Sequence, residues 1–291
     1  MDATDFTITS ADGEEVFVHR WSGPGRPRAV VQIAHGMGEH AARYARLAAA
    51  LVERGYAVVA NDHRGHGRTA GSPDRHGDLG AAGWTGLVDD MALVTARARS
   101  DAPGVPVVVL GHSMGSFALQ QHLLDHSGDI DGAVLSGTSA TDVIAAGLDP
   151  TQPADLTAFN APFEPARTDY DWLSRDEAEV DAYVADPACG FGLAVEGMAG
   201  LLRDAPATAD PQRLAAIRTE LPILIMSGDA DPLAGGGELV ELVGQRYRDA
   251  GVKDVTVVRY PGARHEIFNE TNRDEVTADL LAWLDTVTAA S

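Results

Sequence analysis

One serine of this chain stands where its hydroxyl could become a strong nucleophile. Gly111-His112-Ser113-Met114-Gly115 directly follows the β-rich run Val107-Val108-Val109-Leu110 and directly precedes a helical pattern. A turn from strand to helix this tight leaves no room for bulky neighbours, and glycines stand two residues to either side of the serine. The turn lifts the serine Oγ clear of the strand. It also sets the backbone N–H of Met114, at a helix N-terminus, where a developing oxyanion would lie.

A serine hydroxyl is too weak an acid to attack unaided and needs a base that is itself oriented by a carboxylate. On a strand–elbow–helix scaffold the partners follow in the order serine, acid, histidine. His265, in Pro261-Gly262-Ala263-Arg264-His265-Glu266, is the only histidine after His126 and therefore the only base this order allows. His112 touches the serine in sequence, but as a member of the elbow it should point elsewhere. Two carboxylates compete in Ser227-Gly228-Asp229-Ala230-Asp231-Pro232. Asp231 is preferred because it lies further into the loop, with Asp229 read as a turn former. A second oxyanion donor is required, and Ile33-Ala34-His35-Gly36-Met37-Gly38 offers the N–H of Met37 beside glycines that permit close approach. Asn61-Asp62-His63-Arg64-Gly65-His66-Gly67 crowds Asp62, His63 and His66 together, but no further cluster completes a metal site. That segment reads as a structural turn, with Asp62 bonding backbone or Arg64, and no metal is expected.

These residues need a scaffold, and the hydrophobic pattern describes one. Short apolar runs at 6–9, 16–18, 29–34, 56–60, 107–110, 133–135, 223–226 and 255–258 read as strands. Helical patterns at 41–54, 84–100, 114–125, 236–250 and 273–287 fall between and after them. Strands alternating with helices make an α/β sheet, mostly parallel and covered on both faces. The loops carrying Ser113, Asp231 and His265 all leave carboxyl ends of strands, where such sheets meet ligands.

About 75 residues interrupt the rhythm, too many for an ordinary connection. They should form a helical insertion over the carboxyl edge of the sheet, with helical pieces near 174–185 and 191–203. The chain thus divides into 1–138, an insertion at 139–215, and 216–291. Within the insertion Phe191, Val195, Met198 and Leu202 recur at helical spacing and form one apolar face. That face either packs the insertion onto the sheet or binds an apolar substrate chain, and the four are candidate substrate-binding residues.

Composition limits the partners. The formal charge is -21, spread along the chain, which repels phosphate backbones and makes nucleic-acid binding a poor reading. Cys189 is the only cysteine, so no internal disulfide can form. No signal peptide and no run long enough to span a membrane is visible, so a soluble, cytoplasmic protein is expected. Stable membrane insertion is not expected, which leaves transient lipid contact through the insertion. The oligomeric state is open.

The motifs carry a family resemblance. His35-Gly36-Met37-Gly38-Glu39-His40 followed by Arg43-Tyr44, then Asp62-His63-Arg64-Gly65-His66-Gly67-Arg68, then Gly111-His112-Ser113-Met114-Gly115, resemble three motifs of monoacylglycerol lipases and related bacterial lysophospholipase-like hydrolases. Asp231 and His265 fall where that family has its acid and base. The resemblance implies an eight-stranded α/β-hydrolase core under a cap. It also implies hydrolysis of glycerol esters with one acyl chain, with no cofactor. Rival readings are a lysophospholipase, a small-ester esterase or a peptidase of the same fold. More distant ones are a cofactor-free oxidoreductase or perhydrolase and a non-catalytic binding module.

Overall fold

The computed structural model describes residues 2–289. Its eight strands are β1 (Asp2–Thr9), β2 (Glu15–Ser22), β3 (Val30–Ala34), β4 (Ala57–Asn61), β5 (Val107–His112), β6 (Gly132–Ser136), β7 (Ile223–Gly228) and β8 (Val255–Tyr260). They form one sheet in the order β1-β2-β4-β3-β5-β6-β7-β8. β1 and β2 are a hairpin, β2 runs antiparallel to β4, and every later pairing is parallel. The strands outlast their apolar runs by a residue or two where the backbone ladder continues into the loops that bear Ser113 and Asp229.

Among the described residues ten α-helices accompany the sheet. α1 (Ala45–Glu53) follows β3, α2 (Gly67–Ala70) and α3 (Gly83–Asp101) follow β4, and α4 (Met114–His126) follows β5. Four lie between β6 and β7: α5 (Thr141–Ala145), α6 (Glu177–Ala185), α7 (Val195–Asp204) and α8 (Pro211–Leu214). α9 (Glu238–Asp249) and α10 (Arg273–Ala289) flank β8.

Side-chain alternation along the strands feeds apolar clusters on both faces of the sheet. Val109 packs with Trp84, Leu87 and Met91 of α3, Phe117 and Leu119 of α4, and Val240 and Val243 of α9. Val108 and Leu110 point the other way, onto Leu47 and Leu51 of α1 and Leu280 and Leu284 of α10. Central strands β3 to β7 are buried along their whole length, as parallel strands covered on both faces must be. Helix α9 shows the cause in its sequence: Val240, Val243, Gly244 and Tyr247 are buried at spacings of three, one and three. Among the described residues no helix is long and apolar enough to cross a membrane.

Two helices of the insertion start later than the pattern predicts. α6 begins after Asp176, whose side chain caps the N–H of Ala178. The second begins only at Val195 because the preceding residues are occupied otherwise. The N–H of Ala154 donates to Leu193 O, and a Cβ on Gly192 would lie 1.9 Å from Ala154 O, so 191–193 runs alongside residue 154. Phe191 therefore stands outside the helix.

The buried histidines should make this fold lose stability toward acid pH. Burial holds His35, His112 and His122 at about 4 and His66 at about 3, and it pulls His63 well down too. Between about pH 6.5 and 4 the unfolded chain takes up protons that the folded chain refuses, so stability falls as pH falls. The buried carboxylate of Glu39, held near 2, loses its contribution only at lower pH. Among the described residues both ring nitrogens of His122 are buried without a hydrogen-bond partner. His122→Leu should therefore flatten the decline in Tm between pH 7 and 4.5. An unchanged slope in a thermal melt series would show that His122 carries no such load.

Candidate active site

The elbow at the end of β5 has the geometry its glycines require. Ser113 has φ 52° and ψ -121°, and it is the only non-glycine residue with positive φ among those described. A Cβ on Gly111 would lie 2.4 Å from Gly115 O, and one on Gly115 would lie 2.1 Å from Ala34 O. Either side chain would break the turn. The strained serine is held by its own N–H, which donates to Ser136 O at 2.9 Å, and by its carbonyl, which accepts from Ser116 N and Phe117 N. Such a backbone costs roughly 1–3 kcal/mol, which the surrounding fold must supply.

The loops after β7 and β8 meet beside it. Asp231 Oδ2 lies 2.8 Å from His265 Nδ1, while Asp231 Oδ1 accepts from Leu233 N at 2.9 Å. Both side chains are buried. Burial pulls the His265 pKa down, but the charge and hydrogen bond of Asp231 outweigh it and hold the imidazole above its ordinary value. His265 Nε2 is buried and has no hydrogen-bond partner among the described residues. The rings of Trp172 and His112 each stand 4.8 Å from that of His265. His112 turns its Nδ1 to Ser136 Oγ.

Asp229 is exposed and does something else. Its carboxylate accepts from Gly262 N at 2.6 Å, bracing the His265 loop from outside. A Cβ on Gly228 would lie 2.1 Å from Ala263 O, so the two loops press directly together.

The loop after β3 closes the third side. A Cβ on Gly36 would stand 3.1 Å from Ser113 Cβ, which places this backbone against the serine. Sequence reasoning missed what braces it. Glu39 accepts from Gly36 N at 2.6 Å, Tyr44 OH at 2.8 Å and Arg43 at 2.7 Å. Arg43 also binds Glu266 through both oxygens, at 2.5 and 2.8 Å. Burial pushes Glu39 up, but Arg43, His112, His35 and the Gly36 N–H together more than reverse this and keep it ionised, at about 2. One guanidinium thus ties the β3 loop to the residue after His265. The signal was available, since Glu39, Arg43 and Tyr44 belong to the motif that carries the resemblance. Tyr183 of the insertion adds its OH to Gly38 O at 2.8 Å and lies under the Arg43 guanidinium.

These groups surround a cavity of about 220 Å³. Ser113, His265, Met37 and Met114 line it, with Phe117, Ile144, Leu148, Leu156, Phe159, Trp172 and Leu233 making most of the wall apolar. Of the four insertion residues predicted to face a substrate, Met198 and Leu202 line the cavity, and so does the unpredicted Leu201. Phe191 and Val195 are not brought to it. Phe191 stacks on His76 at 4.4 Å and leans on His66 at 5.0 Å. Val195 sits in the first turn of α7, whose buried face is Gly197, Met198, Gly200 and Leu201.

The crowded 61–67 segment is a hydrogen-bonded turn. Asp62 accepts from Ala41 N at 2.8 Å and Arg68 N at 2.7 Å, while Arg64 turns instead to Asp12 and Asp90. Asp62, His63 and His66 do not form a donor cluster; among the described residues His40, Asp186 and Cys189 bring their donor atoms within 4.8 Å of one another. His40 Nε2 and Asp186 Oδ2 already share a hydrogen bond at 2.9 Å, and burial pushes the Cys189 thiol far above its usual range.

The strand order, and an elbow serine on a turn between the fifth strand and its helix, are those of an α/β-hydrolase. Residues 25–272 match the family model described as serine aminopeptidase, S33, and the chain belongs to that family of serine hydrolases. It is 34% identical to a monoacylglycerol lipase of Mycolicibacterium smegmatis, over 97% of this chain and 96% of that one. It is 31% identical to the monoglyceride lipase of Homo sapiens, over 98% of this chain and 91% of the relative. A thermostable carboxyl esterase from Bacillus coagulans, solved in complex with glycerol, superposes with a TM-score of 0.90 at 26% identity, covering 99% of both chains. The chain is an α/β-hydrolase of the esterase and lipase kind.

Proposed function

We propose that this protein hydrolyses carboxylic esters with a single acyl chain, monoacylglycerols among them, through an acyl-enzyme on Ser113. The observation that carries the reading is the apolar cavity that ends at Ser113 and His265. In the proposed reaction Ser113 Oγ attacks the ester carbonyl carbon while His265 Nε2 takes its proton. Asp231 holds the imidazole with Nδ1–H toward itself and balances the imidazolium charge. The N–H groups of Met37 and Met114 receive the oxyanion. The tetrahedral intermediate collapses, His265 returns the proton to the departing alcohol, and water, deprotonated by the same histidine, releases the acid. Residues 139–215 act as a cap, with Ile144, Leu148, Leu156, Met198 and Leu202 forming the acyl wall. The glycerol head group is suggested by the relatives named above.

Of the carboxylates at the cavity wall, Glu39 and Glu266 are bound to Arg43, whereas Asp149 and Asp155 accept from Thr151 and Thr157, so the ester series below has to separate the peptidase reading.

The test is a series of glycerol and p-nitrophenyl esters of increasing acyl length. Each methylene buried in the cavity is worth about 0.8 kcal/mol, roughly fourfold in kcat/KM, until the cavity is full. Leu202→Ala should flatten that rise and leave acetate esters nearly unaffected. A maximum at acetate would favour a small-ester esterase, and hydrolysis confined to peptide anilides would overturn the ester reading.

A further inference from the structure

A trans peptide is planar, so its N–H points opposite to its C=O. The N–H of Met37 belongs to the same peptide unit as the carbonyl of Gly36. That carbonyl oxygen lies 2.7 Å from His35 Nδ1, and the other ring nitrogen, Nε2, lies 2.9 Å from the backbone nitrogen of His63. A backbone N–H can only donate, so Nε2 accepts. The neutral ring must then carry its proton on Nδ1 and donate it to Gly36 O. The preceding peptide is anchored separately, because Gly36 N–H donates to Glu39 Oε1.

The His35 ring stands behind the loop. It is fully buried against the rings of His63, at 4.4 Å, and His66, at 5.2 Å. The cavity with Ser113 lies on the loop's other side, lined by Gly36 and Met37 but not by His35. Without an anchor, a glycine peptide could rotate and present its carbonyl to the cavity, replacing an oxyanion donor with a repelling acceptor.

We infer that His35 is a positioning residue of the oxyanion hole: its Nδ1–H clamps the Gly36–Met37 peptide so that the Met37 N–H faces the reacting carbonyl. The inference rests on the proposed role of Met37. Burial lowers the pKa of the ring to about 4, which keeps it neutral near pH 7.

The two amide isosteres of histidine separate the ring's two contacts. Asparagine places an NH₂ near the position of Nδ1, within reach of Gly36 O. Glutamine places its amide near Nε2, where it can meet His63 N–H but not Gly36 O. His35→Gln should lower kcat on a p-nitrophenyl acetate substrate by about 10²-fold or more, the cost of losing one oxyanion donor. KM should stay within about threefold, and affinity for a trifluoromethyl ketone that mimics the tetrahedral adduct should fall with kcat. His35→Asn should recover kcat to within about tenfold of the parent. Equal losses in both variants, or a rise in KM at unchanged kcat, would overturn the inference. Nitrogen NMR of the parent protein needs no variant: it should show the Nδ1–H tautomer of His35, and the Nε2–H tautomer would equally overturn it. A fluorophosphonate adduct on Ser113 of the parent, together with an unchanged labelling rate in His35→Gln, would sink the clamp while leaving the proposed function standing. No adduct on Ser113 of the parent would sink the proposed function itself.

Discussion

Replacing Ser113 with alanine should lower kcat on every ester by about 10⁶, the scale of losing a serine nucleophile. The variant should fold, because alanine meets the positive φ of the elbow with a smaller side chain than serine, and the flanking glycines already clear the turn. A fluorophosphonate probe should label the parent protein on Ser113 and leave the variant unlabelled. Two other serines near the sheet edge are committed elsewhere. Ser136 Oγ bonds His112 Nδ1, and Ser227 Oγ donates to Gly228 O. An adduct on either, found by peptide mass spectrometry, would overturn the assignment.

Asp231→Asn should cost about 10⁴ in kcat, and Asp229→Asn should keep most activity. The first variant can still accept Leu233 N–H with its amide oxygen. Its NH₂ group would then face His265 Nδ1 and force the proton onto Nε2, the atom that must receive the proton of Ser113. The second variant keeps an oxygen for Gly262 N–H, and the backbone bond from Asp229 N–H to Tyr260 O is untouched. The pH profile offers a separate check. With Asp231 present the imidazole is held above its ordinary value, so the acid limb of kcat/KM should lie above about pH 6.5. Without that carboxylate, burial prevails and the residual activity should keep its base form to lower pH. The opposite ranking of the two variants would move the role to Asp229.

Several features were legible because their causes are local. The elbow at Ser113 is written as glycine spacing between a strand pattern and a helix pattern; the demand on Gly111 arises within five residues, and that on Gly115 from the neighbouring strand β3. The alternation of short apolar runs with amphipathic helices implied a mostly parallel sheet covered on both faces, because burial on both sides forbids polar residues in its strands. His265 followed from chain order, no other histidine lying beyond His126.

Other features depended on which distant segments pack together. Asp229 and Asp231 are two residues apart in one loop, and only the approach of the 261–265 backbone separates them, putting one outside the contact and the other beneath His265. Helical periodicity joined Phe191 to Val195, Met198 and Leu202, but a backbone pairing with residue 154 holds it outside the helix. The link from Glu39 through Arg43 to Glu266 spans more than two hundred positions and has no periodic signature. His35 likewise gained its partners, Gly36 O and His63 N–H, only when the ends of β3 and β4 were set side by side. Hydrogen bonds and close backbone contacts of this kind depend on atoms placed to a few tenths of an ångström. Packing supplies that placement, and residue order alone does not.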